Sequence, residues 1–337
     1  MHMADALLSP AVGGAFIAVS AGALAYSVAK IAKDDTFDEK KIPMMGVMGA
    51  FVFAAQMINF TIPGTGSSGH IGGGILLAAL LGPYPALLTI SAVLIIQCLF
   101  FADGGLLALG CNIFNMGIVS CLVAYPLIYK PIVKNGLSVK RIAIGSVLAV
   151  VIGLQLGAFM VVMETLASGI TELPFTAFIA LMQPIHLAIG IVEGIVTALV
   201  LGFVFQMRPE ILDSALNKKP IGAVSIKKVV GVLIIVAIIT GGALSLFASS
   251  FPDGLEWSME GVAGTTELEA DSGTHDTAAD IQESTAFMPD YAFKSDSESG
   301  TSAAGLIGGT MTLALAAAGG LIIYGVKKRK KPVNSEK

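Results

Sequence analysis

The chain opens with MHMADALLSP, which places an imidazole at position 2, directly behind the first amino group. The α-amine of Met1 together with the amide nitrogen and imidazole of His2 can close two fused chelate rings on one metal ion. A planar set of nitrogen ligands suits Ni²⁺ or Cu²⁺, and suits Co²⁺ less selectively. An α-amine has an unperturbed pKa of about 8, so a metal can displace its proton near neutrality. These two residues therefore predict a metal chelate with one in-plane position open.

A second imidazole could fill that position, and His70 is the candidate. It lies in GTGSSGHIGGG, where glycine and serine let backbone approach an ion or the N-terminal segment closely. Of the other histidines, His275 lies in an acidic segment, where we expect a solvated side chain, and His186 lies inside an apolar run. The alternative is that His2 is incidental and His70 is an interfacial polar residue.

Further polar residues lie in apolar surroundings, where they are unfavourable unless they are paired or line a site. They are Gln97, Asp103, Asn112 and Asn115. The two asparagines share a helix face, so they could hydrogen-bond the second ring nitrogen of a ligating histidine. The alternative is that they hydrogen-bond between helices.

His186 and Glu193 are seven residues apart on one face of an apolar run. Three interpretations stay open for them: supporting contacts to the metal ligands, a buried polar pair, or a proton relay.

The composition places these residues in a membrane protein. Of the 337 residues, 55% are hydrophobic and only 13% are charged, and the mean hydropathy is +0.81. Soluble domains carry about 25% charged residues. The apolar runs are continuous and long enough to cross about 30 Å of hydrocarbon. We therefore predict an all-α, multi-pass protein of the cell membrane.

Apolar runs broken at glycine, proline and charge give the spans, and Lys and Arg give their orientation. The basic clusters fall on one side if the N-terminus is outside. The prediction is a seven-helix transmembrane bundle followed by two further transmembrane helices, N-out and C-in. The predicted spans are about 11–29, 44–60, 71–82, 86–101, 107–129, 142–163, 175–206, 228–248 and 303–326.

The same map divides the chain into a seven-span unit (1–208), a cytoplasmic connector (209–227) and a two-span unit (228–337). The two-span unit contains an acidic external loop, 249–302. This loop either concentrates cations electrostatically or is a disordered, solvating linker.

No Lys or Arg precedes Lys30, so we do not expect a cleaved signal peptide. Because a bulky residue follows Met1, we expect the mature chain to keep it. Cys98, Cys111 and Cys121 lie in apolar runs without a CxxC pair, and we interpret them as small buried hydrophobic residues.

Several stretches together resemble one family. MHMADALLSP, SGHIGGGILLAALLGPYPA, DGGLLALGCNIFNMG and HLAIGIVEGIVTALV resemble the CbiM/NikM substrate-binding subunits of energy-coupling factor transporters, which import cobalt or nickel. FPDGLEW at 251–257 resembles the PDGLE motif of the small CbiN/NikN partner, which has two spans and an external loop. The resemblance covers nearly the whole chain and implies a fusion of both.

The resemblance also implies a ligand set. In that family the metal is held by the N-terminal amine, the backbone nitrogen and imidazole of the second residue, and a histidine after the second span. Those positions match Met1, His2 and His70, and no direct metal role is implied for His186. The metal is transported cargo, Ni²⁺ or Co²⁺, and no permanently bound cofactor is expected. The amide nitrogen favours Ni²⁺ on geometric grounds.

The sequence contains no GxxxxGK[ST] nucleotide-binding motif. The resemblance implies a transmembrane coupling protein and two cytoplasmic ATPase subunits as partners, besides membrane lipid and without nucleic acid. Two rows of small residues on the first span could dock the coupling protein, or could serve internal packing. The rows are Gly14, Ala18 and Gly22, and Ala21 and Ala25.

The expected function is therefore an importer subunit and not an enzyme. One alternative is a secondary transporter or channel that works without ATPases, which would usually show broken helices or several midplane carboxylates. Another is a membrane enzyme or sensor, which would need an open coordination position and a general base.

Overall fold

The computed structural model describes residues 1–37, 40–222, 226–270, 272–293 and 300–330. Among these residues, the first unit contains seven helices: α1 (Pro10–Ala32), α2 (Lys41–Gln56), α3 (Gly74–Leu81), α4 (Pro83–Phe101), α5 (Leu109–Val133), α6 (Val139–Ser168) and α7 (Phe175–Met207). The connector contains α8 (Pro209–Asn217). These helices are followed by α9 (Ile226–Gly242), α10 (Gly254–Ala263), α11 (Gly273–Thr285) and α12 (Gly300–Lys330). A short antiparallel hairpin pairs β1 (Phe60–Ile62) with β2 (Ser67–Gly69).

In the described part of the chain, seven helices are long and apolar enough to cross a membrane: α1, α4, α5, α6, α7, α9 and α12. The shorter α2 is also apolar. This confirms the prediction of an all-α, multi-pass membrane protein. Within α5 the turns from Ile113 to Tyr129 are π-helical, a widened geometry that is common near functional sites.

The second and third predicted spans differ from the structure. The span predicted at 44–60 ends as a helix at Gln56, and the span predicted at 71–82 is helical only in α3. Eight helical residues rise only about 12 Å, so α3 cannot cross a bilayer. Gly73, whose φ of 79° lies in the left-handed region, immediately precedes the helix, and residues 70–73 form neither helix nor strand.

Two buried side chains support this unwound segment inside the bundle. Gln56 Nε2 donates to the Gly72 carbonyl at 2.9 Å, and the Gly73 amide donates to Glu193 Oε1 at 2.9 Å. Gln56 and Glu193 are each 4% exposed. Irregular backbone within a membrane bundle is tolerated where protein groups satisfy its N–H and C=O groups, and these two side chains do so.

The second unit packs against the first through α2. Both α9 and α12 contact α2, and all α2 residues except Pro43 and Phe51 are buried. The helices α9 and α12 touch backbone to backbone, since a Cβ on Gly305 would lie 2.6 Å from the Gly241 carbonyl oxygen. The two predicted units therefore share one core.

The segment 249–293 folds as a cap over the hairpin. The Ser68 amide donates to the Pro252 carbonyl at 2.8 Å, and Trp257 Nε1 donates to the Thr65 carbonyl at 3.0 Å. A disordered linker is therefore the wrong interpretation for the described residues of this loop.

The helix α11 fastens the cap to the loops of the first unit. Gln282 Nε2 donates to the Gly104 carbonyl at 2.8 Å. His275 is only 7% exposed, and its Nε2 lies 2.9 Å from the Leu8 carbonyl. The expectation that His275 is solvated is wrong, because this contact places its ring under the cap.

The opposite end of the bundle carries the basic residues. Lys327 of α12 donates to the Asp34 carbonyl and, at 3.0 Å, to the Phe37 carbonyl, which ties the second unit to the loop after α1.

We predict that Glu193→Ala lowers the free energy of unfolding by about 1–3 kcal/mol, because it leaves the buried Gly73 amide without an acceptor. Glu193→Gln keeps an acceptor oxygen, and we expect a smaller loss. Thermal unfolding of the full chain in detergent measures both.

Thr197→Val is the matched control on the same helix. Thr197 is 1% exposed, and its hydroxyl has no hydrogen-bond partner among the described residues, so its loss should change little. A Glu193→Ala protein as stable as the control would contradict the bracing role.

Candidate metal centre

The first residues of the chain are threaded into the bundle. Met1 is 5% exposed, and Met3 and Leu8 are fully buried. Alternate side chains of an extended segment point to opposite sides, so Met1 and Met3 face the helices while His2 faces the loop at Asp103.

The side chain of Asn112 clamps this segment. The Met3 amide donates to Asn112 Oδ1 at 2.8 Å, and Asn112 Nδ2 donates to the Met3 carbonyl at 3.2 Å. The Gly105 amide donates to the same carbonyl at 2.9 Å. Asp5 Oδ1 accepts from the Ala108 amide at 2.9 Å. These bonds fix the position of the terminal amine.

The Met1 amine meets one imidazole and one carboxylate. Its nitrogen lies 3.0 Å from His70 Nε2 and forms an ion pair with Asp253 Oδ2. Two nitrogens that are cis on one ion, with metal–nitrogen bonds of about 2.0–2.1 Å, are about 2.8–3.0 Å apart. The spacing of the amine and His70 Nε2 therefore fits two adjacent ligands of one metal.

The imidazoles of His2 and His70 stack, with ring centroids 5.1 Å apart and planes 8° from parallel. His2 Nδ1 lies 3.1 Å from Asp103 Oδ1. Chelation through the amide and imidazole of His2 uses Nδ1, because that nitrogen closes a six-membered ring. An ion at Nδ1 would therefore replace the Asp103 contact and leave the carboxylate beside the site.

Asp103 also accepts a hydrogen bond from the Tyr291 hydroxyl of the cap. Burial alone would raise the pKa of Asp103, but the His2 imidazole and the hydrogen bonds from His2 and Tyr291 lower it to about 2. Asp103 thus carries its negative charge at neutral pH.

Burial is the main cause that lowers the pKa of His70, to about 3, and electrostatic interactions with the amine and with His2 lower it further. The ring is neutral at pH 7, and its Nε2 lone pair is available to the amine or to a metal. Burial opposes ionisation of Asp253, but the ammonium holds the pKa of that carboxyl well below its usual range.

In the described residues, no three His, Cys, Asp and Glu side chains are grouped to hold a metal ion. Beside the His2 and His70 side chains, the Met1 amine offers a main-chain nitrogen that faces an imidazole.

Two cavities adjoin the site. The outer one has a volume of about 610 Å³ and lies between the N-terminal segment and the cap. Its carboxylates attract cations; they are Asp5, Asp103, Asp253, Glu256, Glu267 and Asp290. The inner cavity, of about 30 Å³, has room for a water molecule or a single ion. Three residues of the site, Met1, His70 and Asp253, also line the inner cavity.

The structure gives two of the predicted supporting residues, Asn112 and Asn115, partners other than an imidazole. Asn112 binds the Met3 backbone, and Asn115 Nδ2 donates to Glu164 Oε2 at 2.8 Å. Neither polar side-chain atom of the buried Gln97 has a hydrogen-bond partner among the described residues. Asp103, in the loop after α4, contacts a predicted ligand, since its Oδ1 lies 3.1 Å from His2 Nδ1.

His186 and Glu193 do not form a pair. His186 lines the inner cavity, and Glu193 holds the Gly73 amide next to it.

The small residues of α1 lie on its outer surface. Gly14, Ala18, Ala21, Gly22 and Ala25 are exposed, and no described atom lies within 4 Å of a Cβ built on Gly14 or Gly22. Internal packing of α1 uses a different face, which contains Gly13, Ser20 and Ser27.

Asp253 is the site residue that sequence reasoning missed. Its signal was the capping box in FPDGLEW, where Asp253 caps α10 and Glu256 bonds back to the Asp253 amide. Oδ1 makes the cap, and the second oxygen is left for the amine.

The sequence model of one protein family, the cobalt uptake substrate-specific transmembrane region CbiM, matches residues 2–211. The chain belongs to the CbiM family. A PDGLE domain matches residues 227–325, so the CbiM region is followed by this second domain in one polypeptide.

Relatives of this CbiM chain are named as transport proteins. The putative fused nickel transport protein NikMN of Archaeoglobus fulgidus is 33% identical over 94% of this chain and 96% of its own length. A putative metal transport protein of Haloquadratum walsbyi is 34% identical over 63% of this chain and 93% of its own length. A crystal structure of a transition metal transporter superposes with a TM-score of 0.54 at 30% identity, covering 62% of this chain and 94% of that one.

We predict that Asp253→Asn exposes the Met1 amine of this CbiM chain to chemical modification. Asparagine still caps α10, but the negative charge that holds the ammonium is removed. Acylation of the amine by a reactive ester at pH 7, followed by mass spectrometry of the N-terminal peptide, should proceed severalfold faster. Glu256→Gln is the control, because the Glu256 side chain accepts a hydrogen bond from the Asp253 amide and makes none with the Met1 amine. If the amine were acylated equally fast in Asp253→Asn and in the original sequence, the Asp253 carboxylate would not be what protects the amine.

Proposed function

We propose that this chain is the metal-binding membrane subunit of an ATP-driven importer of the energy-coupling factor type, with Ni²⁺ or Co²⁺ as its cargo. The observation that carries the proposal is the buried Met1 amine, 3.0 Å from His70 Nε2, beside the His2 ring stacked on His70. Burial of a terminal amine against two imidazoles has a direct chemical use in metal chelation.

The proposed ligands are the Met1 amine, the His2 amide nitrogen, His2 Nδ1 and His70 Nε2. Binding releases one proton from the ammonium and one from the amide. The deprotonated amide and the Asp253 carboxylate then supply two negative charges against the divalent ion, and the Asp103 carboxylate beside the site keeps a third, which the hydrogen bond from Tyr291 stabilises. Charge balance of this kind makes a metal tolerable inside a membrane bundle.

The ion reaches this site from the side of the cap. Basic residues cluster at the opposite end of the bundle, so we place the N-terminus outside and the C-terminus inside the cell. The carboxylates around the outer cavity concentrate divalent cations ahead of the chelate. The PDGLE unit contributes Asp253 and the roof of that cavity, and so takes part in loading.

Energy comes from partner subunits, because the sequence has no nucleotide-binding motif. A transmembrane coupling protein docks on the exposed small residues of α1, and two cytoplasmic ATPases drive it. The enzyme activity of the assembly thus resides outside this chain.

We predict that the full chain, purified from cells grown with Ni²⁺ and Co²⁺, holds about one metal ion. Residues added ahead of Met1 should weaken metal binding by about a hundredfold. The added residues remove the free amine from the ligand set. Elemental analysis gives the amount bound, and the preferred ion identifies the cargo.

The same residues appended after Lys337 form the control and should leave binding unchanged. His70→Ala should also weaken binding, since it removes the fourth nitrogen. If both the extended chain and His70→Ala hold metal as tightly as the control, the chelate is ruled out.

A second candidate is a secondary transporter that works without ATPases. The unwound segment before α3 favours it, because such transporters bind their cargo at broken helices. Uptake of radioactive nickel by cells that make the chain with and without the ATPase subunits separates the two. Uptake that persists without ATPases supports the second candidate.

We predict that Ala18→Leu lowers metal uptake severalfold without changing the metal bound by the purified chain. The larger side chain keeps a partner helix away from the small-residue row. Ala180→Leu, on the exposed surface of α7, is the matched control. Normal metal uptake by Ala18→Leu would show that the coupling protein does not dock on this row of small residues.

A further inference from the structure

His186 presents an unused nitrogen beneath the metal centre. Its side chain is 1% exposed, and Nδ1 lies 2.8 Å from the Met182 carbonyl, so Nδ1 carries the proton and donates it. Nε2 is therefore the atom with the free lone pair, and it has no hydrogen-bond partner among the described residues. Ligating histidines commonly have their other ring nitrogen held by a backbone carbonyl in this way.

This nitrogen lies beside the outer chelate. His186 lines the inner cavity together with Met1 and His70. The backbone of Gly254 rests on the ring, since a Cβ there would lie 3.0 Å from His186 Cε1 and 3.3 Å from Nε2. The preceding residue, Asp253, pairs with the Met1 amine. Two consecutive residues of the PDGLE unit thus contact the chelate and His186.

Asn115 provides a second donor atom to the same cavity. Its Nδ2 is committed to Glu164 Oε2 at 2.8 Å, which leaves Oδ1 as the free end. Oδ1 is buried and has no partner within the described chain. Glu193 also lines the cavity, but its Oε1 already accepts from the Gly73 amide.

An ion that leaves the chelate toward the inside must keep ligands throughout, because an uncoordinated divalent ion in a membrane bundle is strongly unfavourable. We propose that His186 Nε2 and Asn115 Oδ1 form an inner transit site that takes the ion from the Met1–His2–His70 chelate. The proposal rests on the importer function proposed above. As the bonds from the metal to the Met1 amine and to the His2 amide break, His186 Nε2 and Asn115 Oδ1 form new ones, and the two protons released to the solvent on binding return from it to the amine and the amide.

The inner site is occupied only in passage. It offers two donors in a cavity of about 30 Å³, against four nitrogens in the outer chelate. Loss of His186 should therefore affect movement of the ion and leave its equilibrium binding intact.

The test compares His186→Phe, which keeps a planar ring without nitrogen, with His186→Cys, which restores a ligating atom. Thr197→Val, on the same helix and away from the cavity, is the matched control. Each full chain is assayed for bound nickel by elemental analysis, for melting temperature, and for uptake of radioactive nickel in cells that make it with its partner subunits.

We expect His186→Phe to bind nickel like the control and to take it up about tenfold more slowly, with His186→Cys intermediate. Control-level uptake by His186→Phe would overturn the transit site. Equal uptake by the Phe and Cys variants, or joint loss of bound nickel and uptake, would also overturn it, because His186 would then serve the fold or the outer chelate. Failure of the importer function itself shows separately, as normal uptake by His70→Ala.

Discussion

A protonated amine inside a membrane bundle needs a negative partner, and the rest of this structure is organised around that requirement. The Met1 ammonium pairs with Asp253, and contacts from three parts of the chain hold the groups around this pair. Asn112 clamps Met3, the cap lays Asp253 over the terminus, and the hairpin presents His70 on the other side. Without the carboxylate, the amine would be charged, buried and unpaired, which is the least favourable arrangement available to it.

The unwound segment before α3 follows from the same requirement. His70 lines the inner cavity, and the chain from His70 to Gly73 is not helical, so α3 starts only at Gly74. The backbone groups released by the unwinding are bound by Gln56 and Glu193, from helices on either side. The second unit completes this arrangement by covering α2, the helix from which Gln56 projects.

Hydrophobic runs and charge predicted most of the fold. The runs at 142–163 and 175–206 correspond to α6 (Val139–Ser168) and α7 (Phe175–Met207), because a continuous apolar stretch in a bilayer has no alternative to a helix. The prediction of the third span was wrong because hydropathy does not report backbone conformation. Glycine is compatible with helical and non-helical backbone alike. Met1, His2 and His70 lie together in the structure, and their role as metal ligands stays a prediction. The contact with Asp253 was out of reach, since it joins groups 252 residues apart whose local signals concern only a helix cap.

That separation sets the order in which the molecule can be assembled. The first residue synthesised is held by a carboxylate that leaves the ribosome 252 residues later. At about 5–20 residues per second, the amine waits on the order of ten to fifty seconds for its partner. During that interval the first unit, residues 1–208, is already made while its terminus is still unpaired. Joining both units in one polypeptide shortens the search that follows, because the carboxylate arrives tethered to the amine it must find.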